Sequence, residues 1–160
     1  MSTRVYLPSS ITGLNEILLS GGVGPVPLPA HAVTDDVRAA LPDAAGEEWE
    51  YAVLNAAAQD SVGLLTEDDP PRRVVVVAEV GSVTPGPDGS LVEVDEVVSL
   101  RQVVAVHVDG DDAAEVVAAA RAAWSDAEAG DEAAVAVVER CLDHELGWFA
   151  TQEIGVLLES

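Results

Sequence analysis

The sequence contains no lysine and a single cysteine, and each scarcity excludes a type of chemistry. All seven basic residues are arginines, so the chain has no lysine for a Schiff base or for binding phosphate in a P-loop. Because Cys141 is the only cysteine, neither an internal disulfide nor a cysteine-rich zinc site is possible. Pyridoxal phosphate enzymes and ordinary P-loop nucleotide hydrolases are therefore excluded.

The shortage of basic residues leaves a strongly acidic chain, with 29 Asp and Glu residues, 7 basic residues and a formal net charge of -22 at pH 7. Such a chain repels phosphate backbones, so direct binding to nucleic acid through a basic patch is not expected. The acids are spread along the chain, which favours a solvated acidic coat as their role. The alternative is attraction to a basic protein partner.

Length and composition indicate a globular protein. The chain has 160 residues and is 49% hydrophobic, which suits a single domain over residues 1–160. Apolar runs such as 74–78 are far too short to span a bilayer, and the opening "MSTRVYLPSS" lacks the apolar core of a signal peptide. We therefore expect a cytoplasmic protein that does not associate with a membrane.

The first 30 residues predict a strand, a helix and an extended segment. "RVYLP" over residues 4–8 is rich in β-forming residues and predicts the strand. Ser9 or Ser10 can cap the amphipathic helix that follows, and Gly21 stands where a left-handed residue would end it. The alternating Pro25, Pro27 and Pro29 then force an extended path.

The middle of the chain predicts a further set of strands and helices. "HAVT" over residues 31–34 predicts a short edge strand, and Thr34 is suited to cap a short helix over 35–41. The spacing of apolar residues over 47–66 predicts a long helix. "VVVVAEV" over 74–80 is typical of a strand covered on both faces.

The remainder of the chain predicts two strands followed by helices. "LVEVDEVVS" and "QVVAVHVDG" indicate the strands, and the helical pattern that begins after Asp109 resumes at Asp131. It continues through Leu146, Phe149 and Leu157, so we expect a helical C-terminal third. The fold class expected is α/β or α+β, with a mixed sheet of four or five strands and helices packed against it.

The segment 143–153, "DHELGWFATQE", is the first candidate for a functional site. A helix would align its polar and aromatic side chains in two adjacent rows. These rows are His144, Trp148 and Gln152, and Glu145, Phe149 and Glu153. Aromatic walls with a few polar groups can line a ligand pocket. In the structural alternative, Phe149 belongs to the core and His144 is simply solvated.

Two catalytic interpretations of this region lack a complete set of residues. "HELGW" resembles the zinc motif H-E-x-x-H, but Trp148 replaces the second histidine, so no metal site and no cofactor are predicted. Cys141 and His144 have the spacing of a thiolate–imidazole pair, although a lone cysteine in an Ala- and Val-rich helix is usually buried.

A group of acidic residues follows the strand that contains His107. Asp109, Asp111 and Asp112 at the end of a strand could hold Mg²⁺ or Ca²⁺. Their spacing lacks the remaining ligands of an EF-hand loop, and a helix cap formed by Asp111 or Asp112 is favoured.

Several blocks of the sequence, among them "EEWEYAVLNAA", "RRVVVVAEV", "VVAVHVD" and "DHELGWFATQE", resemble a family of small acidic actinobacterial proteins of unknown function. The resemblance runs over nearly the whole chain. It implies a single cytoplasmic domain and supplies no activity, cofactor or catalytic residue.

Two hypotheses for function follow from the sequence. In the first, the protein is a non-enzymatic interaction module in which Trp148 and Phe149, with Gln152 beside them, contact a basic partner. In the second, it is a small hydrolase, metal-assisted in one form. His144 would then be the acid or base and Glu145 or Glu153 its partner, with His31 or His107 joining from strand ends.

Overall fold

Residues 2–159 are described by a computed structural model, and an antiparallel sheet forms their centre. The strands are β1 (Thr3–Ser9), β2 (Gly22–Val23), β3 (Leu28–His31), β4 (Val74–Val80), β5 (Val83–Pro85), β6 (Leu91–Val94), β7 (Val98–Ser99), β8 (Val103–Val108) and β9 (Gly147–Ala150). The helices are α1 (Ile11–Ser20), α2 (Asp35–Ala40), α3 (Gly46–Leu64), α4 (Ala114–Glu128), α5 (Glu132–Glu139) and α6 (Ile154–Glu159). Seven strands lie in the order β5-β6-β3-β1-β4-β8-β9, and β2 pairs separately with β7.

The mixture of strands and helices confirms the expected α/β character, but the sheet differs from the prediction. It has seven strands rather than four or five, and its pairings are antiparallel rather than mixed. The two strands that were not expected, β5 and β9, are only three and four residues long, so their periodicity is too brief to read. The strand expected over 31–34 is Leu28–His31 and lies inside the sheet, between β6 and β1.

Successive side chains of the central strands point to opposite faces of the sheet, and each face is covered by its own hydrophobic core layer. Val5, Val74 and Val76 point to the face covered by α1 and α6. Tyr6 and Val75 point to the other face, which α3 covers through side chains such as Val53, Ala57 and Ala58. Both faces of β4 are therefore buried, which confirms the prediction made from its continuous run of valines.

Several predicted helix caps are present. Ser10 accepts a hydrogen bond from the Gly13 amide at the start of α1, and Gly21 ends that helix with a positive φ of 83°. Thr34 caps α2 in the same way. The prediction that Asp111 or Asp112 caps the helix after β8 is wrong, because a 3₁₀ turn precedes α4 and no side chain caps either. The Asp112 carboxylate lies beside His144 instead.

The helical pair α4 and α5 packs beside the end of α3. Val62 on α3 meets Val117 on α4 and Val138 on α5 in a small apolar cluster, which also encloses Cys141. The predicted burial of Cys141 is confirmed, and desolvation raises the pKa of its thiol. No helix within residues 2–159 is long and apolar enough to cross a bilayer.

The C-terminal third is not helical throughout, which corrects the prediction for residues 143–153. A 3₁₀ turn (Arg140–Asp143) follows α5, the chain then runs extended into β9, and a second 3₁₀ turn (Thr151–Glu153) precedes α6. β9 pairs with β8 along four residues, from Val108 opposite Gly147 to Ala105 opposite Ala150. This pairing satisfies the second edge of β8, and such long-range hydrogen bonding overrides the local helical pattern.

A buried ion pair fixes the end of β4 against the end of β8. Arg73 donates from Nε to Asp109 Oδ2 at 2.8 Å and from Nη2 to Asp109 Oδ1 at 2.9 Å. The Arg73 amide also donates to Oδ2 at 2.8 Å, and both side chains are almost fully buried. Nη2 donates in addition to the His144 carbonyl at 2.9 Å. One guanidinium thus holds three segments: the start of β4, the end of β8 and the approach to β9.

Replacement of Asp109 by alanine should leave the Arg73 guanidinium buried in the core without its carboxylate partner. We expect Asp109→Ala to lower the free energy of unfolding by about 3–5 kcal/mol, as measured by urea denaturation. The matched control is Asp35→Ala, which breaks the exposed pair of Asp35 with Arg38. It should cost about 1 kcal/mol or less. Equal effects of the two substitutions would show that the buried pair does not hold the sheet together.

Candidate functional site

The two aromatic side chains of the 143–153 segment point to opposite faces of the sheet. Trp148 lies opposite His107 and Phe149 opposite Val106, so successive residues of β9 alternate between the faces. Phe149 packs partly buried against the core layer under α1 and α6. Trp148 lies on the α3 side at the outermost strand and is 61% exposed. The structure therefore leaves one exposed aromatic side chain here, not a pair.

His144 and Glu145 are adjacent in sequence, but their side chains contact different elements. His144 is half-buried, and its Nδ1 lies 3.5 Å from the exposed Asp112 Oδ2. Glu145 is exposed and accepts a hydrogen bond of 3.3 Å from the Tyr51 hydroxyl on α3. Tyr51 itself is largely exposed, so this contact extends the surface around Trp148 toward α3. Nothing in the spacing of the sequence indicates the pairing of Tyr51 with Glu145, which are 94 positions apart.

Gln152 and Glu153 lie in the 3₁₀ turn after β9, and both are exposed. Glu153 Oε1 accepts a hydrogen bond of 2.9 Å from the Ala150 amide. The Glu153 carboxylate therefore satisfies the backbone at the end of β9. Because the segment is not a helix, the two side-chain rows expected there are not formed.

His107 is the nearest histidine to Trp148, since the two residues are cross-strand partners. It is half-buried, and desolvation lowers the pKa of its imidazole below the ordinary value of 6.5. A neutral imidazole beside the indole is therefore favoured near neutral pH. It adds a partly buried polar group to the edge of the sheet.

His31 occupies a different part of the molecule and makes the closest side-chain contacts of the three histidines. Its Nδ1 lies 2.6 Å from Ser90 Oγ and its Nε2 lies 2.6 Å from Asp60 Oδ2. His31 as a whole is 5% exposed. Sequence reasoning named His31 only as a possible addition to the His144 site and missed Ser90 and Asp60. Separations of 59 and 29 positions give no local pattern by which to find them.

A metal site was not predicted from the sequence. Among residues 2–159, no group of three or more His, Cys, Asp or Glu side chains is arranged to hold a metal ion. Asp109, which the sequence grouped with Asp111 and Asp112, is fully buried, and its carboxylate is bound to Arg73. The residues present do not support the metal-assisted form of the hydrolase hypothesis.

The lowered pKa of His107 makes part of the stability depend on pH. In the unfolded chain His107 binds a proton with the ordinary pKa of 6.5, whereas in the folded protein its pKa is lower. The unfolded state therefore binds more protons, and the free energy of unfolding falls as the pH drops below about 6.5. His107→Gln should remove this component and reduce the loss of stability between about pH 7.5 and about pH 5.5 in urea denaturation. Val104→Ala on the same strand is the control, since it removes no titrating group. The same pH slope in His107→Gln as in wild type would contradict the assignment.

The comparisons with known proteins identify the family. A model of the family of unknown function DUF6912 matches residues 3–158. No curated protein and no solved structure matches the chain. The match covers almost the entire chain, which confirms the resemblance to a family of unknown function. The chain therefore belongs to the DUF6912 family.

Proposed function

We propose that this protein acts as an interaction module that binds a basic, extended segment of a partner protein along β9. The observation that carries the proposal is the place of β9 at the end of the sheet, with Trp148 exposed on it. No described strand lies on the outer side of β9. An edge strand offers backbone donors and acceptors to which an extended peptide can add as a further strand.

The backbone of Trp148 is oriented toward this outer side. In an antiparallel pair, the N–H and C=O groups of alternate residues point to the neighbouring strand or away from it. The Ala150 amide donates to the Glu153 carboxylate, which indicates that it points away from β8. Trp148 is two residues earlier and so has the same orientation. Its amide and carbonyl are the groups with which an added strand would pair.

The side chain of Trp148 supplies the anchor for this contact. Tryptophan is among the residues that contribute most to binding at interfaces. Its indole also attracts the guanidinium or ammonium group of a basic peptide. The exposed carboxylates of Asp143, Glu145 and Glu153 flank β9 in sequence on both sides. They complement the same basic side chains at either end of the strand.

The overall charge of the protein also favours a basic partner, because it acts over a long range. A chain with a net charge of -22 draws in a cationic partner and repels phosphate backbones, so we expect a protein partner rather than nucleic acid. We also propose that this encounter takes place in the cytoplasm. Attraction of this kind raises the association rate and weakens as salt screens the charges.

Phe149 and Gln152, the other two residues predicted to bind a partner, have different roles in this proposal. Phe149 packs against the core and holds β9 in place, so it supports the contact without touching the partner. Gln152 is exposed in the turn after β9, where it can border the end of a bound strand. The hydrolase alternative centred on His144 and Glu145 gains no support from the geometry, because those side chains contact different elements.

A short peptide of alternating arginine and threonine tests the proposal. Its fluorescence anisotropy should report saturable binding to the wild-type protein, and Trp148→Ala should weaken that binding by about tenfold or more. Leu19→Ala is the matched control, because Leu19 is an exposed apolar residue on α1 and lies outside β9. It should leave the affinity unchanged.

Two further peptides separate strand addition from simple charge attraction. A peptide of the same charge with proline at alternate positions cannot donate to an edge strand, so it should bind much more weakly. A peptide in which glutamate replaces arginine should not bind. Equal affinity of wild type and Trp148→Ala, or of the proline peptide and its parent, would overturn the proposal.

A further inference from the structure

The contacts of His31 link a serine hydroxyl and a carboxylate through one buried imidazole. His31 is on β3, Asp60 is on α3, and Ser90 follows the turn at Gly89 that leads into β6. Both contacts measure 2.6 Å, at the short end of the hydrogen-bond range. This order of serine, imidazole and carboxylate is the arrangement that activates a serine hydroxyl as a nucleophile.

The chemistry of the three groups determines the positions of the protons. An ionised Asp60 carboxylate only accepts hydrogen bonds, so His31 Nε2 must carry the proton of that contact. In the neutral imidazole, Nδ1 is then the acceptor, and it faces Ser90 Oγ. Asp60 thus selects the form of His31 that can take the serine proton. The two ring nitrogens have exchanged the roles they have in the chymotrypsin triad.

A cavity next to Ser90 gives an acyl group a place to bind. It has a volume of about 190 Å³ and extends from Ser90 and Gly89 between α2 and α3. Its other walls are mostly apolar, and they are formed by Val37, Ala40, Leu41, Ala52 and Val53. Asp36 lines the same cavity, so a neutral or cationic substrate is favoured over an anionic one.

We infer that Ser90, His31 and Asp60 form an acyl-transfer site that hydrolyses short, uncharged carboxylic esters. Ser90 Oγ attacks the ester carbonyl carbon while His31 Nδ1 takes the hydroxyl proton. The bond from that carbon to the alcohol oxygen breaks, and the alcohol leaves with the proton from His31. Water then attacks the acyl carbon and gives a proton to His31, which returns it to Ser90 as the carboxylic acid departs.

In this reaction the attack on the ester carbonyl forms an oxyanion, and we assign the Gly89 amide as its hydrogen-bond donor. It precedes Ser90 and donates at 3.1 Å to the carboxylate of Asp36, which is exposed. In the structure this amide is occupied, so it can donate to the oxyanion only after the exposed Asp36 carboxylate has moved away from it. Gly89 has a positive φ of 61°, a conformation that a residue with a side chain would adopt only with strain.

Covalent labelling tests the inference independently of the binding role of β9. An alkyl fluorophosphonate should modify the folded wild-type protein once, and peptide mass mapping should place the label on Ser90. Ser90→Ala should abolish labelling, and His31→Gln should slow it by about a hundredfold or more. Ser125→Ala is the matched control, because Ser125 is an exposed serine on α4, which carries none of the three groups of the site, and this variant should react like wild type. Circular dichroism confirms that each variant is folded.

Asp60 is a positioning residue, so its test needs a second readout. Asp60→Asn should slow labelling, and ¹⁵N spectra of the imidazole should show that His31 no longer carries its proton mainly on Nε2. Asp60→Glu keeps a carboxylate and should restore part of the rate. An unlabelled Ser90 in the folded wild type, a rate unchanged in folded His31→Gln, or an unchanged His31 spectrum in Asp60→Asn would each overturn the inference.

Discussion

The pairing of Arg73 with Asp109 is the interaction on which the arrangement of the last strands depends. Burial of two charges is costly, and it is tolerated here because each oxygen of Asp109 receives at least one hydrogen bond from Arg73. Nη2 of the same guanidinium also donates to the His144 carbonyl. The chain therefore enters β9 from a fixed point, and a shift of β9 along β8 would break this contact.

The position of this anchor determines which side chains β9 presents. With His144 held, Gly147 falls opposite Val108, and the alternation then sends Phe149 into the core and Trp148 to the exposed face. A slip of one residue would exchange them and bury the indole in place of the phenyl ring. The exposure of Trp148 is thus a consequence of the register and not of a loose chain end.

Local signals in the sequence were sufficient for elements whose contacts are close in the chain. Ser10, Thr34 and Gly21 mark helix ends within one turn, and the valine run of β4 indicates a strand buried on both faces. The same reasoning failed for β9, because its apolar spacing fits a helix and only the distant β8 makes it a strand. It also missed the contacts of His31, since a turn and a helix surface bring Ser90 and Asp60 to it from far along the chain. Local propensity carries no information about such contacts.

The hydrogen bond from the Ala150 amide to Glu153 also affects how copies of this protein meet one another. An uncovered edge strand is a common route to aggregation, because identical edges can join. Here the last outward donor is already occupied by the chain's own carboxylate, and Glu145 stands near the opposite end. If the β9 strands of two copies paired in antiparallel orientation, the acidic side chains of one copy would lie against those of the other. These carboxylates disfavour the pairing of two β9 edges, whereas a basic segment would meet no such repulsion.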